Sequence, residues 1–208
     1  LTLAEQALAG LRAGLGEEHP TVATAWGNLS AAHRARGDLA AATAAATRCC
    51  ALRAAIFGEA HPETATALSN LGSIAAAGGG VEAALAYEEQ ALAIRAATLG
   101  ERSREALRSL AGVAVILRGL GDLSRALEVQ RAALAGQREA LGEASAEAIE
   151  SRRQIIYMLV RTGKKAEAGK EIAAALATLP ARHRLREELT ALRGQLAGAG
   201  AGSAGRGK

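Results

Sequence analysis

Few residues in this chain have the types and the spacing that a catalytic, metal-binding or phosphate-binding site requires. His33, Cys49 and Cys50 come nearest to a metal-binding group, but a structural zinc site needs about four convergent ligands. The run Gly78-Gly79-Gly80 could suggest a phosphate-binding loop, yet no Gly-Lys-Ser/Thr follows it and no strand is predicted before it. No nucleophile–base–acid set is apparent in the sequence. We therefore predict a protein that is not an enzyme and that uses no metal and no cofactor.

Arginine is the most prominent chemical group in the chain. It accounts for 21 of the 25 basic residues, and its guanidinium suits bidentate recognition of carboxylate or phosphate better than lysine does. Residues 1–98 hold nine acids and six bases, a net charge of −3, whereas residues 99–208 hold twelve acids and nineteen bases, a net charge of +7. The second half is therefore predicted to attract an acidic partner. The alternative is that arginine and alanine merely reflect GC-rich codons.

Other classes of partner fit the composition less well. An isoelectric point near 9.5 could indicate nucleic acid, but proteins that bind single strands use stacking aromatic side chains. The aromatic residues are few and spread along the chain, at Trp26, Phe57, Tyr87 and Tyr157. No uninterrupted apolar run reaches the ~18 residues of a membrane helix. We expect neither nucleic acid nor a membrane as partner.

The cysteines indicate the compartment. Cys49 and Cys50 are adjacent, so they cannot form an ordinary disulfide with each other, which fits a reducing, intracellular environment. We predict a cytoplasmic protein, with a ciliary or organellar assembly as the alternative. The chain begins at Leu1 and its single methionine is Met158, so we expect a piece of a longer protein or a processed form.

The elements that position these residues are predicted to be helices. Half of the residues are hydrophobic but only 2% are aromatic, and alanine, the strongest helix former, supplies most of the apolar count. The three prolines permit long helices, and the scarcity of β-branched and aromatic residues disfavours sheets. The fold class is therefore predicted to be all-α.

A sequence unit recurs along the chain. Leu15-Gly16-Glu17 returns as Phe57-Gly58-Glu59, Leu99-Gly100-Glu101 and Leu141-Gly142-Glu143, a step of 42 residues each time. The same spacing relates Gly37, Gly79, Gly121 and Gly163, and also Ala42, Ala84, Ala126 and Ala168. Each unit is predicted to contain two helices. Helix A starts at His-Pro or at a capping serine and ends at the periodic glycine in a left-handed conformation, and small alanines in helix B let helix A approach closely.

This unit resembles the 42-residue tetratricopeptide repeats of kinesin light chains. The similarity rests on Asn28-Leu29 and Asn70-Leu71 in helix A and on Ala91-Leu92-Ala93-Ile94 in helix B. Gly112 and Gln154 depart from the asparagine position in the third and fourth repeats. The resemblance implies a right-handed superhelical solenoid of antiparallel helix pairs, a TPR array, that ends in a C-terminal capping helix.

The repeat boundaries divide the chain. Residues 1–14 are predicted to form a partial repeat that contains only helix B, and residues 181–197 the capping helix. Residues 198–208, rich in glycine and alanine, are predicted to form a flexible tail. The four complete repeats are predicted at 15–56, 57–98, 99–140 and 141–180.

The resemblance also implies a binding surface on the concave face, which helix A lines in such arrays. There an asparagine clamps the backbone of an extended peptide, because an amide donates and accepts at once. Asn28 and Asn70 match that position, and the alternative is that they bridge adjacent repeats. Kinesin light chains take acidic peptide segments, so the arginines of this face are predicted to bind carboxylates. The alternative is a solvated face of intramolecular ion pairs. The predicted peptide-binding residues are Asn28, Arg34, Thr66, Ser69, Asn70, Ser73, Arg108, Arg118, Arg153, Tyr157 and Arg161.

Three functions are compatible with such an array. The favoured hypothesis is a protein-interaction scaffold or adaptor that holds a peptide or helix of a partner, expected to be acidic, within a multiprotein complex. The second is an architectural subunit of a large ciliary, motor or organellar assembly. The third is a non-catalytic TPR segment of a larger enzyme or regulator. The fold alone does not choose among them.

Overall fold

The structure is a computed structural model that describes residues 2–201, with side chains described for residues 2–197. The described chain is all-α and contains no strand, which confirms the predicted fold class. Its helices form two compact units that divide between Asp122 and Leu123. Unit 1 contains α1 (Thr2–Leu15), α2 (Pro20–Ala35), α3 (Leu39–Phe57), α4 (Pro62–Ala77), α5 (Val81–Leu99) and α6 (Arg104–Gly119). Unit 2 contains α7 (Leu123–Leu141), α8 (Ala146–Arg161), α9 (Lys165–Thr178) and α10 (Leu185–Ala201).

Within each unit the helices that follow each other in sequence pack against each other. In unit 1 this holds from α1 to α6, and in unit 2 from α7 to α10. The division between the units falls inside the third predicted repeat, 99–140. Each unit is thus a stack of neighbouring helices, the arrangement expected of helical repeats.

Histidine side chains begin two of the A helices. His19 Nδ1 accepts a hydrogen bond from the backbone N–H of Thr21 at 3.2 Å, and His61 Nδ1 accepts one from Glu63 at 3.1 Å. Ser103 begins α6 with the predicted cap, since its Oγ accepts from the backbone N–H of Ala106 at 3.2 Å. The first-turn N–H groups of a helix lack intrahelical partners, so each of these side chains satisfies one of them.

Glycine and alanine at the repeat positions shape the turns and the helix contacts. The glycine that ends helix A has a positive φ in every repeat, as predicted: 79° at Gly37, 81° at Gly79, 83° at Gly121 and 73° at Gly163. The alanines of the periodic set in helix B are fully buried, namely Ala42, Ala84, Ala126 and Ala168. At the α4·α5 contact a Cβ on Gly72 would lie 3.2 Å from the carbonyl oxygen of Ala84. Small residues therefore permit the close helix spacing.

Helix α3 is long and apolar enough, by length and composition alone, to cross a membrane. Its apolar sequence is interrupted by Arg48 and Arg53, so no apolar run of membrane-spanning length was predicted there. In unit 1, α3 packs against both α2 and α4. Its buried residues are Ala42, Ala45, Ala46, Cys49 and Leu52. These residues form the buried face of α3, and the rest of the helix is half-buried or exposed.

Helix α10 packs on α9 at the end of unit 2. Leu189 is buried there in one apolar cluster with Ile156 and Ile172, and other leucines of α10 pack around it. Arg186 donates through Nη1 to the carbonyl oxygens of Leu176 at 2.6 Å and Leu179 at 2.7 Å. These contacts satisfy carbonyl groups at the end of α9 that have no helical partner.

The end of α10 differs from the predicted boundary. The helix continues to Ala201, so residues 198–201, predicted as the start of a flexible tail, are helical. Glycine and alanine alternate in residues 198–201; the alanines favour a helix over the opposing preference of the glycines, and no proline stands nearby to end it. The rest of the predicted tail, residues 202–208, lies outside the described residues.

Candidate functional site

Helices α4, α5 and α6 of unit 1 enclose a cleft of about 630 Å³, called here the α4–α6 cleft. Five of the predicted binding residues line it: Thr66, Ser69, Asn70 and Ser73 from α4, and Arg108 from α6. Two charged residues come from α5, Glu88 and Arg95, and the remaining lining residues are Gly72, Ala76, Gly112, Val115 and Ile116. The structure thus brings together polar side chains from two successive A helices.

A buried arginine lies at the base of this cleft. Arg95 is only 2% exposed. Its Nη1 donates to Ser69 Oγ at 2.9 Å and also to Ser109 Oγ, and its Nη2 donates to Thr66 Oγ1 at 3.3 Å. The nearest carboxylate oxygen, Glu88 Oε1, lies 3.9 Å from Nη1, beyond hydrogen-bonding distance. The partners that hold the guanidinium are therefore neutral hydroxyls.

The charge of Arg95 is only partly compensated. Burial lowers the pKa of Arg95, the carboxylate of Glu88 raises it again, and the neighbouring charge of Arg108 lowers it further. An arginine stays protonated under these conditions, so the lowered pKa means that the buried positive charge costs the folded chain free energy. A negative charge that entered the cleft would offset this cost.

Arg108 and the hydroxyls can make new bonds. Arg108 is exposed on α6 and forms no ion pair or hydrogen bond with any described residue. Ser69 and Ser109 both accept from Arg95, so their own protons can be donated elsewhere. Ser73 donates to the backbone carbonyl of Ser69 at 3.0 Å. The cleft therefore offers one unpaired guanidinium and a set of polar groups around it.

The position of Glu88 explains a departure from the repeat pattern. Gly112 stands where the third repeat would carry the helix A asparagine. A Cβ at Gly112 would lie 3.2 Å from Glu88 Oε1 and 3.4 Å from its Cγ and Cδ. The side chain of Glu88 therefore occupies space that an asparagine would need.

Sequence profiles of known families identify the repeat. Two profiles of the tetratricopeptide repeat match this chain, one over residues 22–63 and the other over residues 63–139. The chain is a tetratricopeptide repeat protein. No curated protein sequence matches it significantly.

Solved structures resemble this TPR chain in fold. A Podosopora anserina protein described as a kinesin light chain with nearly identical TPR-like repeats is 24% identical, with a TM-score of 0.72 over 85% of this chain and 84% of that one. BtubC (BKLC) from P. vanneervenii is 17% identical, with a TM-score of 0.79 over 96% and 82% of the two chains. Aspartyl phosphate phosphatase F from Bacillus subtilis is 12% identical, with a TM-score of 0.66 over 76% and 40%. At these identities the likeness concerns the fold.

Three predicted residues in the TPR helices of unit 1 lie outside the α4–α6 cleft. Asn28 and Arg34 are exposed on α2, and Arg118 is half-buried near the end of α6. Within the described residues, neither Asn28 nor Asn70 forms a side-chain hydrogen bond. Both amides are open to solvent, and their role as peptide clamps stays a prediction.

The predicted residues of unit 2 form side-chain contacts within α8. Arg153 donates to Glu150 through Nε at 2.8 Å and through Nη2 at 2.6 Å, and this pairing raises the pKa of Arg153. Arg161 donates to the hydroxyl of Tyr157 at 3.1 Å and lies 5.8 Å from the centre of its ring. Arg153 therefore forms the intramolecular ion pair that the sequence analysis left open as the alternative.

The residues considered for a metal site do not come together. Cys49 is buried, Cys50 is half-buried, and burial raises the pKa of both free thiols. His33 contacts Asp38 instead, with Nδ1 3.5 Å from Oδ2. Within the described residues, no group of three or more His, Cys, Asp or Glu side chains could hold a metal ion.

Sequence reasoning missed Arg95, although a signal was present. Ala84, Ala91 and Arg95 are spaced seven and four residues apart, so they share one helical face, and all three are buried. The equivalent arginine of the preceding repeat, Arg53, is also turned inward and lies 3.2 Å from the carboxylate of Glu63. An arginine in register with core alanines thus indicates a buried charge that needs polar partners.

Proposed function

We propose that this TPR chain is a protein-interaction module that binds an extended acidic peptide segment of a partner in the α4–α6 cleft. The observation that carries the proposal is the presence of two arginines in one cleft, Arg95 buried and Arg108 exposed with no ion pair to a described residue. A carboxylate on the peptide would accept charge-assisted hydrogen bonds from Arg108, each worth about 1.5–3 kcal/mol when partly enclosed. The resemblance to kinesin light chains implies the same class of ligand.

The two sides of the cleft suit different parts of a peptide. The α4 side presents the amide of Asn70 and the hydroxyl of Ser69, which can bond to peptide groups regardless of the side chains that they carry. The α6 side presents Val115 and Ile116, which can bury aliphatic portions of the ligand. We expect the backbone of the peptide over α4 and its acidic side chain at Arg108.

A peptide-display selection tests this function. The purified chain is used as bait for a library of random peptides, in parallel with the variant Asn70→Ala/Arg108→Glu. We expect acidic peptides to be enriched on the wild type and lost on the variant, because the variant lacks the amide and reverses the free charge. The far-UV circular dichroism of both proteins should agree, since Asn70 and Arg108 are exposed.

A matched variant separates the cleft from the general charge of the chain. Arg36→Glu makes the same change of charge at an exposed arginine of unit 1 that does not line the cleft. It should enrich the same acidic peptides as the wild type. Equal enrichment on the wild type and on Asn70→Ala/Arg108→Glu would contradict the proposal.

A second candidate function, an architectural subunit, rests on the apolar surface of unit 1. Leu15 is 46% exposed, Phe57 39% and Leu99 44%, and the three stand at the same position of successive repeats. A cavity of about 570 Å³ is also lined mostly by apolar residues of α3, α4 and α5, such as Ala54, Leu68 and Ile94. Exposed apolar side chains favour contact with a folded protein surface where they form one contiguous patch. If the chain enriches no peptide but co-purifies with a large complex, the architectural function is favoured.

A further inference from the structure

We infer that Glu88 makes the α4–α6 cleft selective for singly charged carboxylates and discriminates against doubly charged phosphorylated side chains. The inference rests on the proposed peptide-binding function and concerns which acidic groups the cleft accepts. Glu88 lines the cleft from α5, its side chain is 12% exposed, and its Oε1 lies 3.9 Å from the guanidinium of Arg95.

The charges that line the cleft suit one additional negative charge. Arg95 and Arg108 contribute two positive charges and Glu88 contributes one negative charge, which leaves a net charge of +1 on the lining residues. A glutamate or aspartate side chain of a ligand would neutralise this charge. A phosphorylated serine carries close to two negative charges at neutral pH, so its second charge would have no partner in the cleft and would face Glu88.

The carboxylate of Glu88 is held in the cleft by the packing around it. Gly112 leaves the space that its side chain fills, with Glu88 Oε1 only 3.2 Å from the place of a Cβ. Because the residue at 112 has no side chain, Glu88 can lie on the floor of the cleft beside Arg95. Glu88 thus limits the net positive charge that faces a ligand's acidic group. Attraction to that net charge grows only in proportion to the charge of the group, whereas the Born cost of removing the group from water grows with the square of its charge. The second charge of a phosphate is therefore not offset in this cleft.

A series of three peptides measures this selectivity. One peptide sequence enriched on the wild type is synthesised with glutamine, glutamate or phosphoserine at its essential acidic position, and its binding is followed by fluorescence anisotropy at about 0.15 M salt. On the wild type we expect the glutamate peptide to bind tightest. On Glu88→Gln we expect about a tenfold gain for the glutamate peptide and about a hundredfold gain for the phosphoserine peptide, because Coulomb energy scales with ligand charge. The glutamine peptide should bind both proteins equally.

Two further variants test whether the charge and the position of Glu88 matter. Glu89→Gln removes an exposed charge from the next residue of α5, outside the cleft, and should leave the order of the three peptides unchanged. Gly112→Ala keeps the net charge but crowds Glu88, and should improve binding of the phosphoserine peptide in the same direction as Glu88→Gln.

The outcomes distinguish this inference from the proposed function. If the phosphoserine peptide binds the wild type more tightly than the glutamate peptide, or if Glu88→Gln strengthens all three peptides equally, the inference about Glu88 is wrong while peptide binding stands. If none of the three peptides binds the wild type, both the inference and the proposed function are refuted.

Discussion

Replacing Arg95 by methionine tests how strongly the buried guanidinium is coupled to Glu88. Methionine keeps a long unbranched side chain but removes the charge and all its donors. In the structure, Glu88 Oε1 lies 3.9 Å from Arg95 Nη1. At that separation Coulomb's law gives about 1 kcal/mol in water and about 4 kcal/mol at an effective dielectric constant of about 20. Because Arg95 is buried and Glu88 is partly accessible, we expect a coupling of about 2 kcal/mol between them.

The assay is a double-mutant cycle. Urea unfolding is followed by circular dichroism for the wild type, Arg95→Met, Glu88→Gln and the double variant. Arg95→Met should lower the free energy of unfolding by about 2–4 kcal/mol, since it leaves Glu88 without its nearby cation. It also deprives Ser69 and Ser109 of their shared donor. Glu88→Gln should cost about 1 kcal/mol.

The cycle is decided by the double variant. Once both charges are absent, no uncompensated charge is left at the base of the cleft, so the double variant should be about 2 kcal/mol more stable than the sum of the two single losses predicts. If the losses add to within about 0.5 kcal/mol, Arg95 and Glu88 are not coupled. The electrostatic account of the cleft would then be refuted.

Two further predictions concern packing and pH. Gly72→Ala should lower the free energy of unfolding by about 1–3 kcal/mol, because its Cβ would lie 3.2 Å from the carbonyl oxygen of Ala84, whereas Gly10→Ala in α1 has open space and should stabilise by up to about 1 kcal/mol. Urea midpoints that shift in the same direction would contradict this. The hydrogen bond from Arg152 lowers the pKa of Glu143 in the folded chain. The contact therefore stabilises the fold at pH values above the pKa of Glu143 in the unfolded chain, and this stabilisation is lost as the pH falls through the pKa of Glu143 in the folded chain. In an acid titration followed by circular dichroism, Glu143→Gln should therefore lose less stability than the wild type. An identical loss in both proteins would show that this contact does not contribute.

The fold could be predicted from the sequence because its determinants are local and repeat. Gly79 and Gly121 end their helices by a backbone conformation that glycine adopts most readily, and Ala84 and Ala126 are small residues that are fully buried. Both kinds of determinant are visible in the residue type alone. The same repeat register predicted which side of helix A is open to a ligand, and the residues of that side in unit 1 that line the cleft are Thr66, Ser69, Asn70, Ser73 and Arg108.

The chemistry of the cleft was harder to predict because it depends on contacts between helices. Arg95 was not considered, since its partners Ser69 and Ser109 lie 26 and 14 residues away in sequence. In the sequence Gly112 is only a departure from the repeat pattern. The reason for it is the packing of Glu88 against this position, which is visible only in the structure. The repeat pattern likewise predicted that His19 and His61 lie in the turn before helix A. It did not predict the hydrogen bonds that their rings accept, because these depend on the orientation of each ring.

The glycines with positive φ in the turns between helices are positions at which a D-amino acid could replace glycine. At Gly79, where φ is 81°, a Cβ would meet nothing within 4 Å. The turn therefore has room for a methyl group, and only the handedness of an L-residue stands against it. A D-alanine introduced there by chemical ligation would match the native φ and restrict the unfolded chain, a change worth about 0.4–1 kcal/mol. Because a glycine with positive φ recurs at the end of helix A in each repeat, the mirror-image residue could be introduced repeat by repeat, and the gain at each turn measured from the free energy of unfolding.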